Sequence, residues 1–350
     1  MIPAEIGKRV IIVCPHPKGK GGIASVVAFH LSKIENYNFI PVSGPELSKL
    51  YLPILALFKS LKYLLGTTKF VHLHSASYKD FYRNALFVAW FKILGKKVYI
   101  HQHGGFFDDF YKEHPKFVKR VCRWADGMIG VSTYFTNFFK EKGLTKDVRL
   151  LPNGIEPSEY KGKVPVERKP LVISYFGSIT EGKGIFDVVE AIGKNRQKFV
   201  NKIELHIGGL GKTQELESLI KNYSLEQSVR MLGWLDPEAK KRLLEISDMF
   251  IHPSYKESFG LAILEAMDYG LPIITTNVGG IPDLVTDDVN GLIVAPGDVD
   301  AIAEAISKLI ENPELRYELG RNSKVHAANF YSEKIEKRLL DIYSSILAAK

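Results

Sequence analysis

Residues 251–266 read IHPSYKESFGLAILEA and combine the end of a short apolar segment, a polar loop and a helical pattern. The apolar segment at 249–251 is typical of a buried β-strand, and Gly260 comes directly before apolar residues at helical spacing. We therefore expect Glu257 in the loop and Glu265 about two turns into a helix that begins near Gly260. Strands that alternate with helices in this way build parallel α/β sheets.

The same alternation continues on both sides of this stretch. Strand candidates form a first series at 9–14, 39–42, 70–73, 97–101, 128–131 and 148–151, and a second at 171–176, 203–207, 229–232, 249–251, 272–275 and 292–294. Two such series predict two doubly wound α/β domains, and a length of 350 residues suits two domains. The polar, unpatterned segment 159–168 is then a linker between an N-terminal domain at 1–158 and a C-terminal domain at 169–330.

Composition indicates an ordinary globular protein, with 45% hydrophobic and 25% charged residues. Cys14 and Cys122 lie far apart without metal-ligand spacing, which argues against a disulfide framework and favours a reducing cytoplasm. No secretion signal is visible, and the most apolar windows, 52–65 and 85–94, contain lysines and are too short to span a bilayer.

The net charge of +8 is unevenly divided along the chain. Residues 1–160 hold 23 Lys and Arg against 12 Asp and Glu, so the first half is the basic one. Within it, residues 54–65 place leucines at near-helical spacing around Lys59 and Lys62. The pattern fits an amphipathic helix on an anionic membrane surface, but it fits the core face of a buried helix equally well.

Several strand-to-helix turns carry groups that could bind a ligand, because open α/β sheets bind ligands at the carboxyl ends of their strands. Gly21 and Gly22 follow the first strand, where they would allow close backbone approach, although a tight turn alone would explain them. The pairs His72 with His74 and His101 with His103 each share one sheet face. A zinc site is conceivable there, but without a completing carboxylate we favour His103 as a hydrogen-bonding group and His72 and His101 as structural residues.

The second half carries the stronger signal. Lys183 follows the strand at 171–176, where a cation can meet a phosphate, and the helix beginning near Gly260 offers its N-terminus to a diphosphate. Glu257 and Glu265 can accept hydrogen bonds from hydroxyl-rich groups on either side. Asp298 and Asp300 have the spacing of a metal motif, but they precede a helical pattern at 301–310 and indicate a helix N-terminus instead.

Taken together, these motifs resemble the retaining nucleotide-sugar glycosyltransferases of family four. The resemblance rests on Lys183-Gly184, the spacing from Glu257 to Glu265 with Phe259-Gly260-Leu261, Gly279 to Pro282, Asn290-Gly291 and Pro296-Gly297-Asp298, and more loosely on Gly21-Gly22, His103-Gly104, Val131-Ser132 and Pro152-Asn153-Gly154. It implies a GT-B fold, in which two Rossmann-like domains face each other across a cleft. It also implies that a C-terminal helix at 331–350 crosses back to the first domain.

The resemblance also implies roles for the matching residues. His103, Lys183 and Glu257 would be catalytic: Lys183 would hold the diphosphate, and His103 and Glu257 the donor sugar. Glu265 would bind the ribose hydroxyls, and the remaining donor-binding positions would be Gly21, Gly22, Asn153, Gly177, Ser178, Ser258, Phe259, Gly260 and Leu261. One position departs from the family, because Ser178 stands where an arginine is usual.

The sequence thus predicts an enzyme that moves a sugar from a nucleoside-diphosphate sugar to a hydroxyl acceptor, in bacterial-type surface polysaccharide or glycolipid assembly. No metal or other cofactor is expected, since Lys183 and helix N-termini would stabilise the leaving diphosphate. The expected partners are the donor, a sugar or lipid-linked acceptor and an anionic membrane surface, without nucleic acid. The expected location is the cytoplasm, peripheral to the inner face of the plasma membrane. A sugar phosphorylase, a nucleotide-sugar epimerase and a non-catalytic nucleotide-sugar-binding scaffold remain alternatives.

Overall fold

The computed structural model describes residues 1–17, 19, 21–42, 58, 60–63, 66–160 and 170–349. The chain divides into two compact units. The first unit contains Met1–Ile155 together with Phe330–Lys350, and the second contains Glu156–Asn329. Most of the predicted linker and most of the segment 54–65 lie outside the described residues.

The first unit is built on a parallel six-stranded sheet. Its strands are β1 (Val10–Cys14), β2 (Asn38–Pro41), β3 (Phe70–Ser75), β4 (Lys97–Gln102), β5 (Gly127–Gly130) and β6 (Asp147–Leu150), in the spatial order β2-β1-β3-β4-β5-β6. Its described helices are α1 (Ala4–Gly7), α2 (Gly22–Ser32), α3 (Lys79–Ile93), α4 (Phe107–Glu113), α5 (Pro115–Trp124), α6 (Thr133–Glu141) and the final helix α14 (Ser332–Ala348). The strands β1, β3 and β5 are buried along their whole length, as expected for a sheet covered on both faces.

The final helix α14 belongs to the core of the first unit. Ile335, Leu339, Ile342, Tyr343 and Ile346 recur at helical spacing and are buried in one cluster with residues of β1 and α2. Arg149 ties the helix to β6, because its guanidinium donates to the carbonyl of Ile342 at 3.1 Å. The predicted return of the last helix to the N-terminal domain is therefore confirmed.

The second unit holds another parallel six-stranded sheet. Its strands are β7 (Leu171–Phe176), β8 (Ile203–Gly208), β9 (Val229–Gly233), β10 (Met249–His252), β11 (Ile273–Thr276) and β12 (Gly291–Val294), in the order β12-β11-β10-β7-β8-β9. Its helices are α7 (Ile185–Lys194), α8 (Arg196–Phe199), α9 (Thr213–Asn222), α10 (Pro237–Ile246), α11 (Leu261–Asp268), α12 (Val299–Glu311) and α13 (Pro313–Ala327). The strand order reverses between β7 and β10, which is where doubly wound sheets bind ligands.

All twelve strands predicted from the sequence are present, with ends displaced by at most two residues. The apolar character of β7, β8 and β10 reflects burial, since Ile173, Leu205 and Ile251 are each completely inaccessible in one core. Asp298 accepts a hydrogen bond from the backbone N–H of Ala301 at 2.9 Å, so its predicted role as the N-cap of α12 is confirmed. No helix of the described residues is long and apolar enough to cross a membrane.

Candidate functional site

The candidate site of the second unit lies at the carboxyl ends of β7 and β10, which are hydrogen-bonded neighbours. Gly177 follows β7, and a single 3₁₀ turn, Glu181–Lys183, leads to α7. Gly184, at the start of α7, has φ of 71°, and a Cβ there would stand 2.1 Å from the carbonyl oxygen of Pro253. Only glycine permits this approach, so Gly184 brings the turn that carries Lys183 against the loop after β10.

Lys183 and Glu257 form a close ion pair in this loop region. The Nζ of Lys183 lies 2.6 Å from Oε2 of Glu257, and the two side chains are only 27% and 13% exposed. Burial acts to raise the pKa of Glu257, but the charge of Lys183 and hydrogen bonds from His252 and Lys183 outweigh it. The pKa of Glu257 is consequently held well below its usual range, and the carboxylate is ionised at neutral pH.

The loop that carries Glu257 is fixed by the glycines at 279 and 280. The N–H of Gly280 donates to the carbonyl of Glu257 at 3.1 Å. Gly279 has φ of 55°, and a Cβ there would overlap the same carbonyl oxygen. The Gly279–Gly280 turn thus sets the position of the Glu257 backbone. This contact links two of the sequence motifs, Gly279 to Pro282 and Glu257 to Glu265, in one place.

Helix α11 begins directly after this loop. Gly260 is its N-cap with φ of 100°, and the N–H of Leu264 donates to the Gly260 carbonyl at 3.0 Å. The first N–H groups of a helix have no partner within the helix and carry a partial positive charge. The N–H of Ser258 donates to a carboxylate oxygen of Glu257 at 3.1 Å, and the start of α11 at Leu261 follows closely on the Lys183–Glu257 pair, where the sequence predicts an anion site.

Glu265 lies in α11, but its partner is a residue that the sequence did not single out. The ammonium of Lys240, on α10, lies 2.6 and 2.7 Å from the two carboxylate oxygens of Glu265. The same ammonium stands 5.5 Å from the ring centre of Phe176, at the end of β7. Lys240 therefore joins the candidate site, although its separation of 25 residues from Glu265 gives no local signal in the sequence.

Ser178, the position that departs from the family pattern, is exposed, and its carbonyl accepts a hydrogen bond from Tyr175 at 2.8 Å. A neighbouring cation comes from the loop after β8. The backbone N–H of Lys212 donates to the carbonyl of Ile179, and its ammonium lies 2.9 Å from a carboxylate oxygen of Glu181. The ammonium of Lys212 is thereby held against the turn Glu181–Lys183, which follows Ser178 and contains Lys183.

The remaining predicted donor residues belong to the first unit. His103 follows β4 and is 6% exposed, and its Nε2 lies 2.9 Å from Nδ1 of His74. Burial, aided by the nearby His30, lowers the pKa of His103 to about 3, so this imidazole is neutral at pH 7. Gly21 and Gly22 start α2, and Asn153 is buried after β6. Their contact with a donor stays a prediction.

The family is established by two models that together match the chain from residue 4 to residue 326. The model described as "Glycosyltransferase Family 4" matches residues 4–159, and the model described as "Glycosyl transferases group 1" matches residues 158–326. The chain belongs to glycosyltransferase family four.

Curated relatives of this glycosyltransferase match only parts of it. N-acetyl-alpha-D-glucosaminyl L-malate synthase of Bacillus anthracis is 30% identical over 214 residues, which are 58% of this chain and 55% of the relative. A D-inositol 3-phosphate glycosyltransferase of Saccharomonospora viridis is 34% identical over 144 residues, or 40% of this chain and 33% of the relative. The chain thus spans about half, or less, of the length of the curated relatives it matches.

Solved structures match the glycosyltransferase over nearly its whole length. HepE from Anabaena, solved in complex with UDP and glucose, superposes with a TM-score of 0.78 at 18% identity, covering 96% of this chain and 100% of HepE. Sucrose-phosphate synthase from Thermosynechococcus elongatus gives a TM-score of 0.77 at 19% identity, with 98% and 100% covered. These similarities establish the GT-B fold that the sequence motifs implied.

Proposed function

We propose that this glycosyltransferase moves a sugar from a nucleoside-diphosphate sugar to a hydroxyl acceptor with retention of configuration at the anomeric carbon. The observation that carries the proposal is the placement of Lys183, Glu257 and the N-terminus of α11 at the point where the strand order reverses. A partly buried cation beside a helix N-terminus suits a diphosphate, and an ionised carboxylate beside it suits the hydroxyls of the transferred sugar.

In the proposed reaction, the bond from the anomeric carbon to the diphosphate oxygen breaks while the acceptor oxygen bonds to that carbon on the same face. The acceptor proton passes to the leaving diphosphate, whose growing charge is stabilised by Lys183 and by the N–H groups at the start of α11. We assign no metal to this step. Glu257 would accept hydrogen bonds from the donor sugar, and Glu265, which Lys240 orients, would accept them from the ribose.

Lys212 would supply a second cation for the diphosphate, in place of the arginine that is usual at the position of Ser178. Its ammonium is held next to the turn that carries Lys183 by the carboxylate of Glu181, and its side chain is 44% exposed, so it can turn toward an incoming phosphate. Two cations on a departing diphosphate stabilise it more than one. In this proposal the family's usual arginine is replaced by a lysine from another loop.

For the acceptor, we propose a lipid-linked sugar at an anionic membrane surface, on the cytoplasmic side. The basic character of residues 1–160 supports this assignment, because positive surface charge draws a protein to anionic lipid. The buried free thiols of Cys14 and Cys122 suit a reducing compartment.

The donor site is tested by calorimetric titration with UDP, GDP, ADP and dTDP. Lys183→Ala and Glu265→Ala are each expected to weaken the preferred nucleotide by about 1.5 to 3 kcal/mol, the value of a lost charge-assisted contact. Glu304→Ala, which removes an exposed carboxylate from α12, is the matched control and should bind as the wild type does. Unchanged affinity in both site variants would refute the donor site.

The reaction itself is tested by incubating the protein with a panel of nucleotide sugars and following slow hydrolysis by mass spectrometry. Release of free sugar and nucleoside diphosphate from one donor supports a transferase, because water replaces the missing acceptor. Nucleotide binding without any hydrolysis would favour the non-catalytic scaffold, and interconversion of the intact donor would favour an epimerase.

A further inference from the structure

Five histidines lie buried together in the core of the first unit, and the proposed sugar transfer uses only one of them. They are His30 on α2, His72 and His74 on β3, and His101 and His103 at the end of β4, none more than 6% exposed. The rings of His72 and His74 stack at 4.4 Å, and those of His30 and His101 at 5.8 Å. So many imidazoles in one core exceed what packing requires, since apolar side chains fill such space without polar atoms to satisfy.

Three of these histidines bring ring nitrogens close together and also carry nitrogens without a hydrogen-bond partner. One nitrogen from each of His30, His74 and His101 lies within 4.8 Å of the other two. Both nitrogens of His30 and the Nε2 atoms of His74 and His101 are buried and have no hydrogen-bond partner among the described residues. A buried polar atom without a partner costs free energy, so unpartnered nitrogens on three histidines that lie this close together indicate a ligand that would bond to all three residues.

The remaining hydrogen bonds orient the two strand histidines. His101 contacts His72 through Nδ1 at 3.0 Å, and His72 in turn contacts the hydroxyl of Tyr343 at 2.7 Å. His74 contacts His103 through Nδ1 at 2.9 Å. If each Nδ1 carries the proton, every one of these bonds has a donor and an acceptor, and the Nε2 lone pairs of His74 and His101 are left free. Outer partners that fix the tautomer and orientation in this way are typical of histidines that bind metals.

We propose that His30, His74 and His101 form a three-histidine site for a divalent transition-metal ion of the zinc type. Zinc bonds to imidazole nitrogen at about 2.0 to 2.1 Å, which places ligand nitrogens roughly 3.4 Å apart. Binding would therefore draw these nitrogens, which lie within 4.8 Å of one another, closer together. The absence of sulfur and carboxylate from the set favours ions that accept imidazole, namely zinc, copper or nickel, over calcium and magnesium.

The protonation state of the cluster suits metal binding. Burial lowers the pKa of His30 to about 4, and burial together with the neighbouring imidazoles lowers the pKa values of His74 and His101 well below the ordinary value for histidine. All three are therefore neutral at pH 7, which is the form that ligates a metal. The three residues are buried in the core of the first unit, so the ion would stabilise that core.

The test uses untagged full-length protein that has been stripped of metal with a chelator and then titrated with Co²⁺ alone. We expect one equivalent to bind with the visible absorption bands of tetrahedral cobalt, and Zn²⁺ to displace it. His30→Leu should weaken binding by roughly 100-fold or more, since loss of even an outer partner costs about 10- to 100-fold. Tyr343→Phe removes the hydroxyl that contacts His72, the outer partner of His101, and should weaken binding by a smaller factor, about tenfold at most. His114→Gln, at an exposed histidine of the same unit, should bind as the wild type does.

The His30→Leu variant also distinguishes a metal-binding role of His30 from a purely structural one. The His30 side chain makes no hydrogen bond to a described residue, so leucine should leave the metal-free protein at least as stable as the wild type. Zn²⁺ should raise the melting temperature of the wild type and leave that of the variant unchanged. Should His30→Leu fail to fold, His30→Phe keeps a planar ring against His101 and carries the same expectation. Absence of stoichiometric binding by the wild type, or binding unaffected by either His30 variant, would overturn the proposal.

Discussion

Removal of the Lys183 charge tests the electrostatic reasoning behind the candidate donor site most directly. Lys183→Met keeps the length of the side chain but leaves Glu257 ionised, 13% exposed and without its cation at 2.6 Å. Breaking a fully buried pair costs about 3 to 5 kcal/mol. Because Lys183 is itself 27% exposed, we expect a loss of about 2 to 4 kcal/mol in the free energy of unfolding at pH 8. The double variant Lys183→Met, Glu257→Gln should lose less than Lys183→Met alone, because no buried charge is left unpaired.

The pH dependence of that loss has a definite sign. In the wild type the pKa of Glu257 is lower when folded than the ordinary value of about 4.3, so the contribution of the pair is fully present above that pH and is lost only as pH falls further. In Lys183→Met, burial raises the pKa of Glu257 and the pKa of His252 is freed from the repulsion of Lys183. Protons taken up by either group then relieve the buried charge at low pH, so the destabilisation should be smaller at pH 5 than at pH 8.

Urea unfolding followed by circular dichroism at the two pH values measures both effects. The matched control is Lys194→Met, which breaks an exposed pair with Glu190 in the same unit and should cost no more than about 0.5 kcal/mol. A Lys183→Met variant as stable as this control, or one equally destabilised at both pH values, would show that the pair does not carry the electrostatics assigned to it.

Three further predictions concern the second cation, the loop geometry and the membrane. Lys212→Met should lower turnover about tenfold, and adding Ser178→Arg to that variant should restore it; Lys221→Met, in the helix α9 that follows Lys212, is the control. Unchanged turnover in Lys212→Met would show that Lys212 does not stabilise the diphosphate. Gly184→Ala should destabilise the protein by more than Gly233→Ala, for which we expect a loss of roughly 1 kcal/mol. Both glycines have a similar positive φ, but only Gly233 has open space for a Cβ. Equal unfolding midpoints of the two variants in urea would contradict that reasoning. Sedimentation with anionic vesicles should retain the protein at low salt and release it at high salt, whereas no binding at low salt would favour a soluble acceptor.

The strands and their grouping could be predicted from the sequence because most are short apolar segments whose residues are largely buried, whereas β2, β6 and β9 are only partly buried. The segment 171–176 illustrates this, since every residue of β7 is buried and the structure has the same ends. The placement of Glu257 in a loop and Glu265 in a helix followed from Gly260, whose φ of 100° suits the start of α11. Features that depend on neighbouring residues in the chain, such as the ends of β7 and the start of α11, could therefore be predicted from the sequence.

The side-chain pairings could not be predicted, because they join residues that are distant in the chain. Lys183 and Glu257 are 74 residues apart, and only the adjacency of β7 and β10 brings them together. Lys240 contacts Glu265 from α10, a helix whose charged residues do not differ in the sequence from those of any solvent-exposed helix. His30 stands in an apolar helical pattern that indicates core packing, and the fold alone places it against the strand histidines.

The pairing of the charges has a consequence for how a diphosphate would bind. Lys183 is already bonded to Glu257 and Lys240 to Glu265, so neither cation faces the ligand with its full charge. A diphosphate that reaches Lys183 shares it with Glu257, and the attraction it gains is smaller than that of an unpaired lysine. The same carboxylate holds the ammonium in place beforehand, however, so little side-chain entropy is lost on binding. The partial charge at the start of α11 is likewise fixed by the backbone and needs no rearrangement. A weak attraction between the diphosphate and Lys183, combined with fixed N–H donors, suits a transferase that must release a nucleoside diphosphate after each reaction. Stabilisation that grows as negative charge develops on the leaving group speeds the reaction without binding the donor tightly.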